Sequence, residues 1–343
     1  MVEVWTAGAH VAGTAGAVAR AAERDGFDGI SFGDTQHIAA DPFGGLCVAA
    51  RETTRLGLMV GVTNPVTRHP AVSAAAIATV QVESGGRAIL GIGRGDSALG
   101  HLGRPPAPVA VLEDYLDRLQ GYLAGETVDA DGYPSQIPWI ARTGQPKVPV
   151  DVAATGPRML ALGAARAERV TVNVGAEPAR VAWALEVARR ARASSPGAGR
   201  PVSLGAYLVV AAHPDAAVAR DLVRGPLAAY AHFSGMPGSP RQLLSADDRA
   251  VVEAVTADYD LSGHGQRSAR HVAHLDDAFV ERFGVAGTPE HCVGHLGDLV
   301  DLGLDRLVVV EGRDAAAPGA QRTAHRVLVD EVLPALAARA PRD

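Results

Sequence analysis

Short apolar segments alternate with longer amphipathic ones through most of the chain, and this rhythm restricts the fold more than any other feature. A strand whose successor arrives only after a helix pairs with it in parallel, so the pattern predicts an α/β protein of βαβ units around a parallel sheet. Strands are expected over 2–6, 29–32, 56–61, 87–92, 148–153, 169–174, 202–210 and 306–310. Helices are expected between most of them, and one over 320–338 closes the chain. Eight strands of this length with intervening helices fit a (β/α)8 barrel. At 343 residues the chain can bury such a core as a single domain.

Two stretches break the rhythm. Residues 125–140 are turn-rich, with Asp131-Gly132 as a hairpin signal. Residues 234–276 carry Gly, Pro and His and are too long for a plain connection. Insertions of this kind are expected over the mouth of a barrel. The net charge of −6 and the lack of a polybasic run argue against a nucleic-acid partner. No apolar run reaches the roughly 20 residues of a bilayer span, and the start lacks a basic-then-apolar leader pattern. Cys47 and Cys292 are the only cysteines, which excludes a disulfide framework; a cytoplasmic protein is expected. Lys147 is the only lysine, a bias toward arginine that reflects GC-rich coding and not the fold.

The chemistry is concentrated at strand ends. Gly61 ends the third strand, and Thr63-Asn64-Pro65 makes a turn that continues neither helix nor strand. Gly91-Ile92-Gly93-Arg94-Gly95-Asp96 lacks the GxGxxG spacing of a dinucleotide fingerprint. At the C-terminal end of a barrel strand, however, its glycines allow backbone to approach a flat ring. Asp96 then points into the mouth or, alternatively, is a solvated turn aspartate. Ala154-Thr155-Gly156-Pro157 opens a helix whose free N–H groups attract an anion, unless it is a generic helix start. Asn173-Val174-Gly175 occupies the same position after the sixth strand, with Asn173 either a substrate contact or a loop cap. Asp34-Thr35-Gln36-His37 ends the second strand.

The run Gly61-Val62-Thr63-Asn64-Pro65-Val66-Thr67-Arg68-His69-Pro70-Ala71, followed by Ser84-Gly85-Gly86-Arg87 and the Gly91–Asp96 loop, resembles the bacterial-luciferase-like superfamily. Within it, the run is similar to the methylenetetrahydromethanopterin reductase branch, which uses the deazaflavin coenzyme F420. Thr155-Gly156-Pro157-Arg158-Met159-Leu160 and Gly287-Thr288-Pro289-Glu290 extend the resemblance over nearly the whole chain. It implies a luciferase-like TIM barrel with a non-proline cis peptide at Gly61–Val62 behind the deazaflavin ring. It also implies a cofactor site of Gly61, Val62, Thr63, Asn64, Gly93, Gly95, Ala154, Thr155, Gly156, Val174 and Gly175, the phosphate lying near Thr155 and Gly156.

Asp96, His37 and Asp34 are the implied catalytic residues, with Thr35 and Asn173 on the substrate side. Two departures stand out. Relatives place His directly after the aspartate of strand two, where this chain has Thr35, with His37 two positions on. The reductases carry an acid at the end of strand one, where this chain has Trp5-Thr6. The same frame with different substrate-facing residues implies a different substrate.

The resulting expectation is an F420-dependent oxidoreductase that transfers hydride between the deazaflavin C5 and a small-molecule or peptide substrate. Reduction of a C=C or C=N bond in secondary metabolism is the favoured reaction. The alternatives are an FMN-dependent monooxygenase and a non-catalytic flavin-binding protein. A homodimer is expected, as relatives often dimerise. His271 with His274, and His291 with Cys292 and His295, lack the carboxylates of a metal site, so none is expected.

Overall fold

Each strand in this chain is narrow, apolar and followed by a helix, and in the computed structural model, which describes residues 2–339, the strands close into a barrel. The staves are β1 (Glu3–Gly8), β2 (Gly29–Phe32), β3 (Gly57–Thr63), β4 (Ala88–Ile92), β5 (Val150–Ala154), β6 (Arg169–Val172), β7 (Ser203–Ala212) and β8 (Arg306–Glu311). All pair in parallel, and β8 returns to β1 with Arg306 opposite Glu3, so the ring has no open edge. The eight expected strands are present and differ from the sequence reading only at their ends.

Alternation along each strand sorts side chains between two cores. Leu58, Val60, Leu90 and Ile92 point outward into the layer under the helices, where they meet Leu46, Ile77 and Leu116. Trp5, Met59, Ile89, Tyr207 and Val308 fill the barrel interior. Glycines make room for the indole: a Cβ on Gly29 or Gly57 would lie 2.4 or 2.5 Å from Trp5 ring atoms. Beside this apolar layer Arg306, fully buried, donates to Asp151 at 2.8 Å, to Thr171 at 2.8 Å and to Ser203 at 3.0 Å. The closed end of the barrel is therefore packed, and only the C-terminal end is open to a ligand.

The two insertions go to different ends. The Asp131-Gly132 signal does form a hairpin, Val128–Ala130 against Tyr133–Ser135, with φ of 55° and 86° at its turn. It does not cover the mouth, which corrects the expectation for 125–140. The helix Val109–Leu123 has already carried the chain back, so the insertion lies where Ala124 and Ala141 meet Pro146 and Lys147, just before β5 begins. The second insertion does reach the mouth. It follows the helix Ala216–Gly235, which the sequence reading missed because Pro226 interrupts its pattern. The helix Ala246–Ala257 and short turns then carry 259–265 back to the open end.

Candidate active site

A cavity of about 400 Å³ opens at the C-terminal ends of the strands. One wall is the irregular end of β3. The register with β4 shifts between Val60 and Thr63, and the Gly61–Val62 peptide is cis, as the sequence led us to expect. Gly61 has no alternative here, because a Cβ would lie 1.8 Å from Ser31 Oγ. Gly91 is equally confined, its Cβ position 2.2 Å from the Val60 carbonyl oxygen. Gly61 and Gly93 therefore bring side-chain-free backbone to the cavity, and Val62 lines it between them. Asn64 closes the turn: its Oδ1 accepts from the N–H groups of Val66 and Thr67, both at 3.0 Å. That leaves its buried Nδ2 without a partner.

The adjoining wall comes from β5 and β6. Ala154, Thr155 and Gly156 line the cavity, and Gly156 caps the helix Pro157–Arg166 with no side chain on its first N–H groups. Arg158, on that first turn, also lines the cavity and makes no salt bridge with any described residue. Gly156 is held against the second insertion, since a Cβ there would lie 2.3 Å from the Gly238 carbonyl oxygen. Asn173 lines the cavity with a buried Oδ1 that has no partner.

Asp34, Thr35, Gly95 and Asp96 complete the set of expected residues that line the cavity. Asp34 is buried and ion-paired with Arg68, whose Nε lies 3.3 Å away. Arg68 also binds Asp41 at 2.5 Å and covers the Phe43 ring. The arginine of the Asn64-Pro65-x-x-Arg68 run thus fixes the aspartate at the end of β2.

Four expected site residues lie elsewhere. His37 is exposed and stacks on His101, with centroids 4.8 Å apart. The turn from Thr35 to Ile38, closed by a 2.8 Å hydrogen bond, leaves His37 exposed at the rim and off the cavity lining, although Thr35 and Ile38 belong to it. Thr63 is buried behind the bulge, where its carbonyl accepts from Gly93 N–H at 2.9 Å. Val174 belongs to the core beneath the site, and Gly175, at φ +80°, packs on Phe283. Ala176 N–H bonds the Phe283 carbonyl and holds that loop down.

The structure adds a group that the sequence did not reveal. Asp96 Oδ2 is buried, has no hydrogen-bond partner and lies 3.7 Å from His232 Nε2. The His232 ring stacks on Tyr259 at 3.9 Å. Tyr259 Oη lies 2.6 Å from His264 Nδ1, and Ser97 Oγ lies 3.4 Å from the same nitrogen. Burial keeps the Tyr259 phenol well above its usual range, and burial also pulls the His264 imidazole down to about 4. His232 lies in the last turn of the helix Ala216–Gly235, and His264 stands among several other histidines in the irregular insertion, so no spacing marked them.

A closed parallel barrel with a packed floor and one open mouth, lined by glycine backbone and unpartnered polar atoms, defines a barrel enzyme with its site at the C-terminal ends of the strands. The chain belongs to the luciferase-like monooxygenase family, which it matches over residues 3–306, and it is an oxidoreductase. It is 30% identical over 300 residues to a 5,10-methylenetetrahydromethanopterin reductase of Methanolobus tindarius, covering 84% of this chain and 87% of that one. The coenzyme F420 dependent tetrahydromethanopterin reductase of Methanopyrus kandleri superposes with a TM-score of 0.74 at 23% identity, over 97% of this chain and 99% of that one. An F420-dependent secondary alcohol dehydrogenase, solved with an F420-acetone adduct, also gives 0.74, at 15% identity, covering 100% of this chain and 99% of that one.

Proposed function

We propose that this protein is a coenzyme F420-dependent reductase of a C=C or C=N bond in a small organic substrate of secondary metabolism. The observation that carries the reading is the pairing of glycine backbone at Gly61 and Gly93, with Val62 between them, with an orphaned donor, Asn64 Nδ2, and an orphaned acceptor, Asn173 Oδ1. A deazaflavin presents both C=O and N–H groups on a flat ring, so one wall can stack on it while the two asparagines complement its edge. The similarity to a methylenetetrahydromethanopterin reductase, and to the coenzyme F420 dependent tetrahydromethanopterin reductase of Methanopyrus kandleri, supports the choice of F420.

When bound, the deazaflavin supplies a hydride from C5 and does not activate oxygen well. The protein does the rest. The uncapped helix start at Thr155 and Gly156, with Arg158 beside it, binds the cofactor phosphate. Asp34, fixed by Arg68, and Thr35 line the same mouth beside the bulge. Asp96 holds the proton that accompanies hydride transfer, and His232 positions it. Tyr230, Phe233 and Met236 help to keep water from the reacting centre.

Titration of the protein with F420 and with FMN, each oxidised and reduced, tests the assignment. F420 is expected to bind and FMN weakly or not at all. Tight FMN binding with oxygen consumption, and no F420 binding, would overturn it.

We also propose a cytoplasmic homodimer. The helices Pro42–Glu52 and Pro70–Ser84 pack side by side and expose Val48, Val72 and Val82. The second helix has no charged residue before Glu83, an apolar outer face suited to a second copy of the chain. Light scattering should find a dimer, and Val72→Glu a monomer. A monomeric wild-type protein at micromolar concentration sinks this reading.

A further inference from the structure

We infer that the corner of the cavity between His264 and Arg313 binds a carboxylate of the substrate, so that the reducible compound is an organic acid. This rests on the reductase reading above and names the substrate class.

The two residues come from different elements and converge on one place. Arg313 follows β8, and its backbone N–H is anchored to the Leu222 carbonyl at 2.9 Å. Its side chain lines the cavity and has no salt-bridge partner among the described residues. Its Nη2 lies 3.2 Å from where a Cβ on Gly265 would sit, so the guanidinium touches the backbone beside His264. His264 lines the same cavity.

The tautomer of His264 follows from its neighbours. Burial keeps the Tyr259 phenol protonated, and among the described residues His264 Nδ1 is the only hydrogen-bond partner of that hydroxyl, so the hydroxyl proton is satisfied only by donation to Nδ1, which then carries no hydrogen. Burial holds the ring neutral, and the one remaining ring hydrogen is therefore on Nε2. Nε2 makes no hydrogen bond within the described protein. The corner thus offers a neutral N–H donor and a guanidinium fork, with no acceptor to match them. Asp96, the nearby carboxylate, faces His232 instead. A carboxylate satisfies both donors at once, and a charge-assisted pair of this kind is strong in a mostly apolar cavity.

The cofactor phosphate is the rival occupant, since it has the same chemistry. Its site at Thr155 to Arg158 lies on β5, three strands round the ring from β8. The Arg313 corner is therefore left for the substrate.

Calorimetric titration with benzoate and with benzamide, on protein saturated with F420, tests the inference. Benzoate should bind in the millimolar range and benzamide more weakly. Arg313→Gln should weaken benzoate roughly tenfold or more, Arg313→Lys less so, and His264→Ala should also weaken it. F420 affinity should be unchanged in all three variants. Should wild-type protein fail to bind F420, the cofactor reading falls, and the same benzoate arms on the free protein still decide this one. Benzoate binding equal in wild type and Arg313→Gln, no benzoate binding at all, or a loss of F420 affinity in Arg313→Gln would each overturn the inference.

Discussion

Replacing Arg306 by Met removes the cation from the floor of the barrel. Arg306 is fully buried and Asp151 is 2% exposed, so the carboxylate is left in the interior without its main counter-charge. Thr171 still donates to it at 2.8–2.9 Å, and Arg169 Nε remains 3.9 Å away. Breaking a buried pair costs about 3–5 kcal/mol, and the residual partners favour the lower half of that range. Unfolding entropy of about 2.1 cal/mol/K per residue gives roughly 0.7 kcal/mol/K for 343 residues. The expected fall in Tm is therefore about 4–6 °C. Asp151→Leu alone should cost a similar amount, because it strands the guanidinium. The double variant Arg306→Met/Asp151→Leu should recover most of the loss, since no buried charge remains. Scanning calorimetry of the four proteins at one scan rate measures this cycle. Additive losses in the double variant would refute the reasoning, because the damage would then come from packing and not from an unpaired charge.

Asp96→Asn should lower turnover by roughly 10²-fold or more while F420 affinity changes little, as expected of a group that handles a proton; equal turnover would leave Asp96 a cavity-lining carboxylate with no proton role. Gly156→Ala drives a Cβ onto the Gly238 carbonyl, so it should cost about 1–3 kcal/mol and weaken F420 binding, both measurable by thermal shift with and without cofactor. His325 bonds Glu311 at 2.8 Å and Asp25 at 3.2 Å, and the Glu311 bond is the main cause that lifts its imidazole from 6.5 to about 9. A raised folded-state value means the stabilisation is complete below about pH 6.5 and is lost as pH rises through about 9. The Tm difference between wild type and His325→Gln should shrink over that window, and a gap independent of pH would remove the claim.

Much of the barrel was legible before any coordinates, for a local reason. Strand and helix periods, and the glycines and prolines that end them, are written in neighbouring residues. The strand end at Gly61, the turn at Thr63 to Pro65 and the helix start at Gly156 were legible for the same reason, whereas the cis bulge at Gly61–Val62 came only from the family resemblance. His37 shows where this stops: two positions past Thr35 is close in sequence, but a single turn sends its ring out to His101. Neither Pro226 inside a helix nor the side of the barrel reached by residues 125–140 could be read locally, because helix direction and packing against neighbours decide both. The chain by itself determined the eight strands, the closed ring and the backbone cradle. Only the tertiary structure decided which polar groups meet across the mouth. Asp34 with Arg68, Asp96 with His232, and His264 with Arg313 are 34, 136 and 49 positions apart, and pairs so distant become neighbours only when the barrel closes.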